Sequence, residues 1–440
     1  MDFVPHDRKT YNELLNAIGV DSIEELFTDI PDDLLIDSLN LPEGLSEPAL
    51  LKELTSLSEK NKIYDSSFMG AGCYYHYIPS LVEFITSRSE FYTSYTPYQA
   101  EASQGFLQAI YEYQTVITDL TQMDISNASM YDGSTAVAEG VLMATEISRR
   151  EKVLVVEGIH PEYLEVLETY CWGHNIELGV CPKDQVISHI DDETAAVIIQ
   201  SPSFFGDILD VSSFVKKVRN TSSKCLVIQA TTDPTCLGVL KPPGKSDIDI
   251  FVEEGQPFGI SPSFGGPGLG IFTSKERYLR KIPGRLVGKT TEIDGDETGY
   301  ILTLQTREQH IRREKAISNI CTNQALCMLS ALIYLLCMGN YGLKEIAKQN
   351  IQKAHYVKNQ LSKIKGYEIM NTRPTYNEFT LKAPNVDSFI SECKEEDFLP
   401  PLKLSKYFPE REQQLLVCVT ELNSRHDIDN FLTIAERNSN

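Results

Sequence analysis

The chain has 440 residues, with 40 Lys+Arg against 62 Asp+Glu and a formal net charge of −22. Nucleic-acid binders need a basic face to release phosphate counterions, so this balance excludes that class, and the same excess of acid repels an anionic membrane surface. At 42% hydrophobic and 23% charged, the composition is that of a globular protein, long enough at roughly 150 residues per domain for two or three domains.

The N-terminus, MDFVPHDRKTYNELL, has no apolar signal core, and a soluble, cytoplasmic protein is expected. Residues 1–60 read as polar and helical, with a helix-like stretch from Ser22 and a second helix starting at Ser46-Glu47-Pro48. Lacking a core of their own, residues 1–65 are expected to form an arm. Phe68 to Tyr75 and Phe91 to Gln99 are glycine- and aromatic-rich and have neither helical nor strand period, so both read as loops. Aromatic loops of this kind line pockets or interfaces. From Ala100 to Met123, Phe106, Leu107, Ile110, Tyr113, Ile117 and Leu120 recur at helical spacing. Asp132-Gly133-Ser134-Thr135 opens another helix that runs to Arg150.

Strands and helices then alternate. Strands are predicted at 153–156, 176–180, 195–200, 225–230 and 248–252, with helices at 161–172 and 211–218. Continuous apolar strands separated by helices give a mainly parallel sheet covered on both faces. Gly265-Gly266-Pro267-Gly268 is a loop leading into a strand, and 305–340 and 344–364 read as long helices. The longest apolar stretch, Ala325 to Met338, is 14 residues and suits a buried helix, being too short for a bilayer. Residues 367–440 mix strands (378–381, 415–420) with a helix (428–436). The expected division is therefore an arm (1–65), a large α/β domain (66–340) and a small α+β domain (341–440). Ten scattered cysteines, with no C-x-x-C pair and several in apolar runs, imply a reducing compartment and no metal knuckle.

Four strand-end loops carry candidate chemistry. Gly133, Ser134 and Thr135 at a helix start offer N–H and hydroxyl donors to a phosphate, although Asp132 or Ser134 as a plain N-cap fits the same residues. His160, after the strand 153–156, offers a ring to stack on a planar cofactor, or a structural histidine. Asp233 offers a carboxylate to a protonated ring nitrogen, or an Asp-Pro turn. Ser201-Pro202 supplies the fourth loop. This layout matches a fold-type I pyridoxal-phosphate enzyme, which also needs a Schiff-base lysine in the loop after the strand 248–252. That loop reads Glu253-Glu254-Gly255-Gln256-Pro257-Phe258-Gly259, and no lysine follows until Lys275. The P-loop-like string 284–290 (GRLVGKT) has three residues between its glycines where a P-loop has four, and is rejected as a nucleotide site.

SRSEFYTSYTPYQAEASQG (87–105), NASMYDGSTAVAEG (127–140), FGGPGLGIF (264–272) and LQTREQHIRREKAISNICTNQ (304–324) resemble the glycine dehydrogenase (decarboxylating) subunit 1 family, the alpha subunit of the split P-protein of the glycine cleavage system. Residues 3–27 and 415–431 resemble it too, so the likeness spans nearly the whole chain. The resemblance implies a partner, subunit 2, in an α2β2 heterotetramer that decarboxylates glycine with pyridoxal phosphate and passes the aminomethyl group to the lipoyl arm of H-protein. It implies that subunit 2 carries the Schiff-base lysine. Catalytic relatives have a K-T-F-x-x-P-H-G-G-G-G-P-G segment, against which Gln256 takes the lysine's place. Lys245-Ser246-Asp247-Ile248-Asp249, Cys73 and Tyr75 depart from the family's expected pattern.

On this reading the chain has no catalytic residue of its own and no metal site. Gly133, Ser134, Thr135, His160 and Asp233 form a degenerate cofactor cup, and Gly70, Gly72, Tyr74, Thr96 and Tyr98 lie on loops toward the partner's active site or interface. A non-catalytic regulatory or binding protein of the same fold is the alternative. A complete enzyme anchored on Lys275 or Lys289 is a third reading, weakened because neither lysine follows a sheet strand in the required loop.

Overall fold

A computed structural model describes residues 6–36, 38–293 and 295–439, so the first three residues of the 3–27 string lie outside the described residues. The chain forms two compact units, residues 1–63 and 64–440. In the first, α1 (Arg8–Ile18) is capped by the Asp7 carboxylate, which accepts the Thr10 N–H at 2.8 Å, and stops at Gly19 in a left-handed conformation. The helix expected from Ser22 is instead a pair of 3-10 turns, Glu24–Phe27 and Asp32–Leu34. Pro31 removes a helical N–H donor and disfavours helical backbone at Ile30, which ends any continuous helix there. α2 (Glu47–Ser58) begins as expected, with Pro48 in its first turn. Leu15 is the one buried residue among the described residues of this unit.

The second unit starts with β1 (Ser66–Ser67), then the short helices α3 (Ser80–Thr86) and α4 (Ser89–Tyr92). α5 (Gln104–Thr121) starts later than expected, after a 3-10 turn at Ala100–Ala102. It buries Phe106, Leu107, Ile110, Tyr113 and Ile117, the stripe legible in the sequence. There follow β2 (Ile125–Ser126), α6 (Gly133–Ser148), β3 (Lys152–Val156), α7 (Pro161–His174), β4 (Glu177–Cys181), β5 (Thr194–Gln200), α8 (Val211–Thr221), β6 (Leu226–Thr231), β7 (Ile250–Glu254) and β8 (Gly270–Ser274). These strands make one seven-stranded sheet in the order β2-β8-β7-β6-β5-β3-β4. β3 to β7 are mutually parallel, and β8 and β2 close one edge antiparallel. The chain order reverses between β3 and β5, a switch point at whose carboxyl ends ligands bind in open α/β sheets. Every residue of β5, β6, β7 and β8 is buried, which explains their unbroken apolar reading. One face packs on α6 and α7, and the other on α8 through Val211, Phe214, Val215 and Val218. Each large aliphatic side chain buried this way contributes ~1.5–3 kcal/mol.

β9 (Leu286–Thr291) and β10 (Thr298–Thr303) form an antiparallel hairpin that the sequence pattern did not announce. Residues 305–324 are not the long helix expected. They hold only 3-10 turns and the single-turn α9 (Gln309–Arg312). α10 (Ala325–Leu361) merges the two helices expected around residue 340, and Gly339 breaks it with φ 54 and ψ −172. By length and composition α10 passes for a membrane span, but its first half buries Met328, Leu329, Ala331, Leu332, Tyr334 and Leu335 in the core. The remaining elements are β11 (Glu368–Ile369), β12 (Glu378–Lys382), α11 (Val386–Glu395), β13 (Phe398–Leu399), β14 (Leu402–Lys403), β15 (Gln414–Cys418) and α12 (Arg425–Arg437). β11, β12, β15 and β14 make a four-stranded antiparallel sheet, and β1 pairs with β13.

Gly339 gives a clean test of backbone strain, because an added Cβ would meet nothing within 4 Å. Gly339→Ala is expected to lower the unfolding free energy by about 1–2 kcal/mol in urea titration, since an L-residue is held there in a sparsely allowed conformation. An unchanged midpoint would show that the break relaxes freely.

Candidate functional site

The carboxyl ends of β3, β5, β6 and β7 and the start of α6 surround a cup. Its anion corner is the first turn of α6. The Asp132 carboxylate accepts the Thr135 N–H at 2.7 Å and the Ser134 hydroxyl at 2.5 Å, so two of the donors a phosphate would use are engaged by the N-cap. The Gly133 N–H donates to Glu254 Oε2 at 2.8 Å. The other Glu254 oxygen accepts the N–H groups of Gln256 and Leu269, both at 2.9 Å. A carboxylate from the end of β7 thus lies at the positive end of the helix, in the place suited to an anion. Burial pushes the Glu254 pKa up to about 7, against the pull of those three N–H groups. Gly133 is needed because a Cβ there would run into the Tyr163 hydroxyl.

Gln256 is buried and its amide is fully engaged. Its Nε2 donates to the carbonyls of Tyr74 at 2.9 Å and Ile260 at 2.6 Å, and its Oε1 accepts the Tyr74 N–H at 2.9 Å. The side chain therefore pairs with the 70–77 loop as a strand would. That loop enters the cup. Tyr74 is 1% exposed, and its hydroxyl donates to Glu378 Oε2 at 2.8 Å and lies 3.1 Å from Thr232. Glu378 also accepts the Ala71 N–H at 2.6 Å, and burial raises its pKa to about 7.

His160 and Asp233 face this same loop. His160 Nε2 lies 2.8 Å from the Ala71 carbonyl, and Nδ1 accepts the Glu162 N–H at 3.2 Å, which fixes the neutral Nε2–H form. Burial lowers its pKa in keeping with that state. Gly72 (φ +93) passes so close to the ring that a Cβ would stand 2.6 Å from Nε2. The Asp233 carboxylate accepts the Thr235 N–H and hydroxyl in the Asp-Pro turn, and the Asn377 amide at 2.6 Å. It also lies 3.2 Å from His76 Nε2, whose Nδ1 is 2.8 Å from Glu421. Burial opposes charge on His76, but Asp233 and Glu421 outweigh it and raise its pKa to about 10. A buried imidazolium of this chain thus occupies the face of Asp233 that could receive a protonated ring nitrogen.

Gly133, Ser134, Thr135, His160, Asp233 and Gln256 are therefore brought together around one cup, with Gly70, Gly72 and Tyr74 filling it. Tyr74 and Gly70 are buried within this chain, where Glu378 anchors the Tyr74 hydroxyl. Tyr98 is exposed and Thr96 half-buried; both accept from the buried Arg285, which also reaches Thr322 and the Cys321 carbonyl. Of the cup, about 330 Å³ stays open, beside Cys73, Ser134, His160 and Gly266. Burial pushes the Cys73 thiol up to about 11, so it is protonated. Lys275 follows β8, at the opposite end of the sheet, and pairs with Asp247 at 2.5 Å; Lys289 is exposed on β9. Neither reaches the cup. His76, Glu378, Asn377 and Glu421 were not legible as site residues, since each is defined by a partner far away in sequence.

These groups set a pH dependence. Glu254 and Glu378 titrate near 7 folded against an ordinary 4.5, so the stability they contribute is full below 4.5 and lost as pH rises to about 7. His76 titrates near 10 against 6.5, so its contribution is full below 6.5 and lost as pH rises through about 10. Melting temperature is expected to fall across both windows. Glu378→Gln should flatten the lower one and His76→Gln the upper one; unchanged slopes in both variants would disprove the assignment.

Over residues 1–435 the chain matches the family model described as glycine cleavage system P-protein. It is 46% identical to the probable glycine dehydrogenase (decarboxylating) subunit 1 of Carboxydothermus hydrogenoformans, over 99% of each chain. The protein of the same name from Desulfitobacterium hafniense is 45% identical over 98% of each. The crystal structure of a glycine decarboxylase (P-protein) of the glycine cleavage system, in inhibitor-bound form, superposes with a TM-score of 0.91 at 38% identity, covering 99% of this chain and 100% of that one. A Lactobacillus brevis glutamate decarboxylase shares the fold alone, with a TM-score of 0.66 at 14% identity, covering 94% of this chain and 96% of that one. The fold is thus the type I pyridoxal-phosphate-enzyme fold expected from the strand-end loops. Matched along nearly its whole length in sequence and in fold, the chain belongs to the glycine cleavage system P-protein family.

Proposed function

We propose that this chain is the non-anchoring subunit of a two-subunit glycine decarboxylase of the glycine cleavage system. In this reading a lysine-bearing subunit 2 holds pyridoxal phosphate, and an α2β2 assembly in the cytoplasm decarboxylates glycine and passes the aminomethyl group to the lipoyl arm of H-protein. The large part to residue 340 and the small part from 341 supply scaffold, and the exposed loops complete the partner's active-site mouth. The observation that carries the reading is Gln256. It stands where the resemblance puts the Schiff-base lysine, cannot form an imine, and is held by two hydrogen bonds to Tyr74 and one to Ile260.

The rest of the cup supports the same conclusion, because its residues do not fit the cofactor. Glu254 lies where a phosphate would bind, Tyr74 and its loop fill the space beside His160, and His76 engages Asp233. A partner is supported by apolar surface that a lone chain has no use for. Tyr92, Tyr95, Tyr98 and Phe264 are 58–94% exposed, and in the N-terminal unit Leu34, Ile36, Leu39 and Leu41 are 68–72% exposed.

Purified alone, the chain is expected to retain no borohydride-reducible cofactor and no glycine-dependent carbon dioxide exchange, with both appearing on adding subunit 2. Stoichiometric covalent cofactor on the isolated chain would end the proposal. Gln256→Lys is expected not to create a site. It leaves the buried Tyr74 N–H without an acceptor and introduces a charge, which should cost at least ~2 kcal/mol of stability without gain of a bound chromophore.

A further inference from the structure

A second cleft, of about 540 Å³, opens between the loop after β4, the first two turns of α8 and the β11–β12 connection. Its lining shares no residue with the cup. Lys183, Lys217 and Arg373 converge on it above an apolar floor of Ile187 and Phe214. Among the described residues, none of these three cations has an ion pair or a side-chain hydrogen bond. In this they differ from Lys152, Arg219, Lys275, Lys281 and Arg437, which pair with carboxylates. Asp184 and Asp210 also line the cleft. Asp210 caps α8 by accepting the Ser213 N–H at 3.0 Å, and Asp207 accepts the Asn371 amide at 3.1 Å. Lys183 has its pKa lowered, first by burial and then by the charge of Arg373, with Lys217 adding to it and Asp210 and Asp207 opposing it. The lining thus holds three cations against two acids, and Lys183 is repelled by Arg373 and Lys217, a repulsion that an anion between them relieves.

We infer that this cleft binds a small multivalent oxyanion, a phosphate-bearing or polycarboxylate metabolite, through Lys183, Lys217 and Arg373. Its volume is within the range of metabolite sites, roughly 300–1,000 Å³. Its place also fits, since the loop after β4 and the start of α8 after β5 both lie at the carboxyl side of the sheet, where α/β folds bind ligands. Arg373 lies on the β11–β12 connection, Lys183 in the loop after β4 and Lys217 on α8, so a bound anion bridges these segments and stabilises the fold by mass action.

The test is calorimetric titration and thermal melting of the full chain with pyrophosphate and, separately, citrate, against potassium chloride at matched ionic strength. Saturable binding of either anion at millimolar concentration or below is expected, and which one binds tells phosphate from carboxylate chemistry. The triple variant Lys183→Gln, Lys217→Gln, Arg373→Gln should weaken it by at least about ten-fold, the loss of one or two charge-assisted contacts. Lys216→Gln, exposed on the same helix but outside the cleft, should bind as the unaltered chain does. Without anion, the triple variant should melt no lower than the parent, because its three cations stabilise nothing. The inference fails if neither anion saturates, if chloride reproduces the melting shift, or if Lys216→Gln loses as much affinity as the triple variant.

Discussion

One carboxylate at the amino end of α6 holds the centre of the molecule. Glu254 accepts N–H groups from Gly133, Gln256 and Leu269, and so joins the first turn of a helix, the loop after a central strand and the start of its antiparallel neighbour. These are the segments that a phosphate group would otherwise organise. With these carboxyl oxygens in place, the N–H groups of Gly133, Gln256 and Leu269 are satisfied without a ligand. Gln256 can then turn its amide toward Tyr74, and the 70–77 loop can lie inside the cup.

The same substitution of the chain's own groups for a ligand recurs at Asp233. In the open cup its carboxylate would be a buried, uncompensated charge, which is costly unless paired and hydrogen-bonded. His76 supplies the charge, and Asn377 and Thr235 supply the donors. Glu421 holds the other ring nitrogen and the Tyr77 N–H. The Asp233 corner of the cup is thus a hydrogen-bonded network of the chain's own groups. Such a network rigidifies a fold, and its members depend on one another.

What the sequence made legible follows from range. The central parallel strands could be read because both of their faces are buried and apolar residues dominate them, and α5 could be read because its stripe is local. β7 begins two residues later than expected, since Asp247 adopts a left-handed conformation and Asp249 is buried in an ionic cluster with Arg219 and Arg277. Residues 305–324 misled because they are rich in helix formers, while their backbone is held by distant partners: Arg307 donates to the Gly284 carbonyl and Asn323 to that of Ala128. The candidate cup could be outlined from strand ends, and the missing lysine noticed. That the cup is filled could not, because Glu378 and Glu421 have no local pattern marking them as partners of Tyr74 and His76.

The separation of those partners bears on the order in which the molecule is made. Ala71 and Tyr74 wait for Glu378, and His76 for Glu421, contacts spanning 304 to 345 residues of chain. A ribosome delivers roughly 5–20 residues per second, N-terminal first. The seven-stranded sheet can assemble around its local crossovers while the last strands are still unmade. For that interval the 70–77 loop has its contacts to His160, Asp233 and Gln256 but lacks those to Glu378 and Glu421. Contacts of such long range are also the slow ones. The network around the 70–77 loop is therefore completed late in synthesis, once Glu378 and Glu421 have been made.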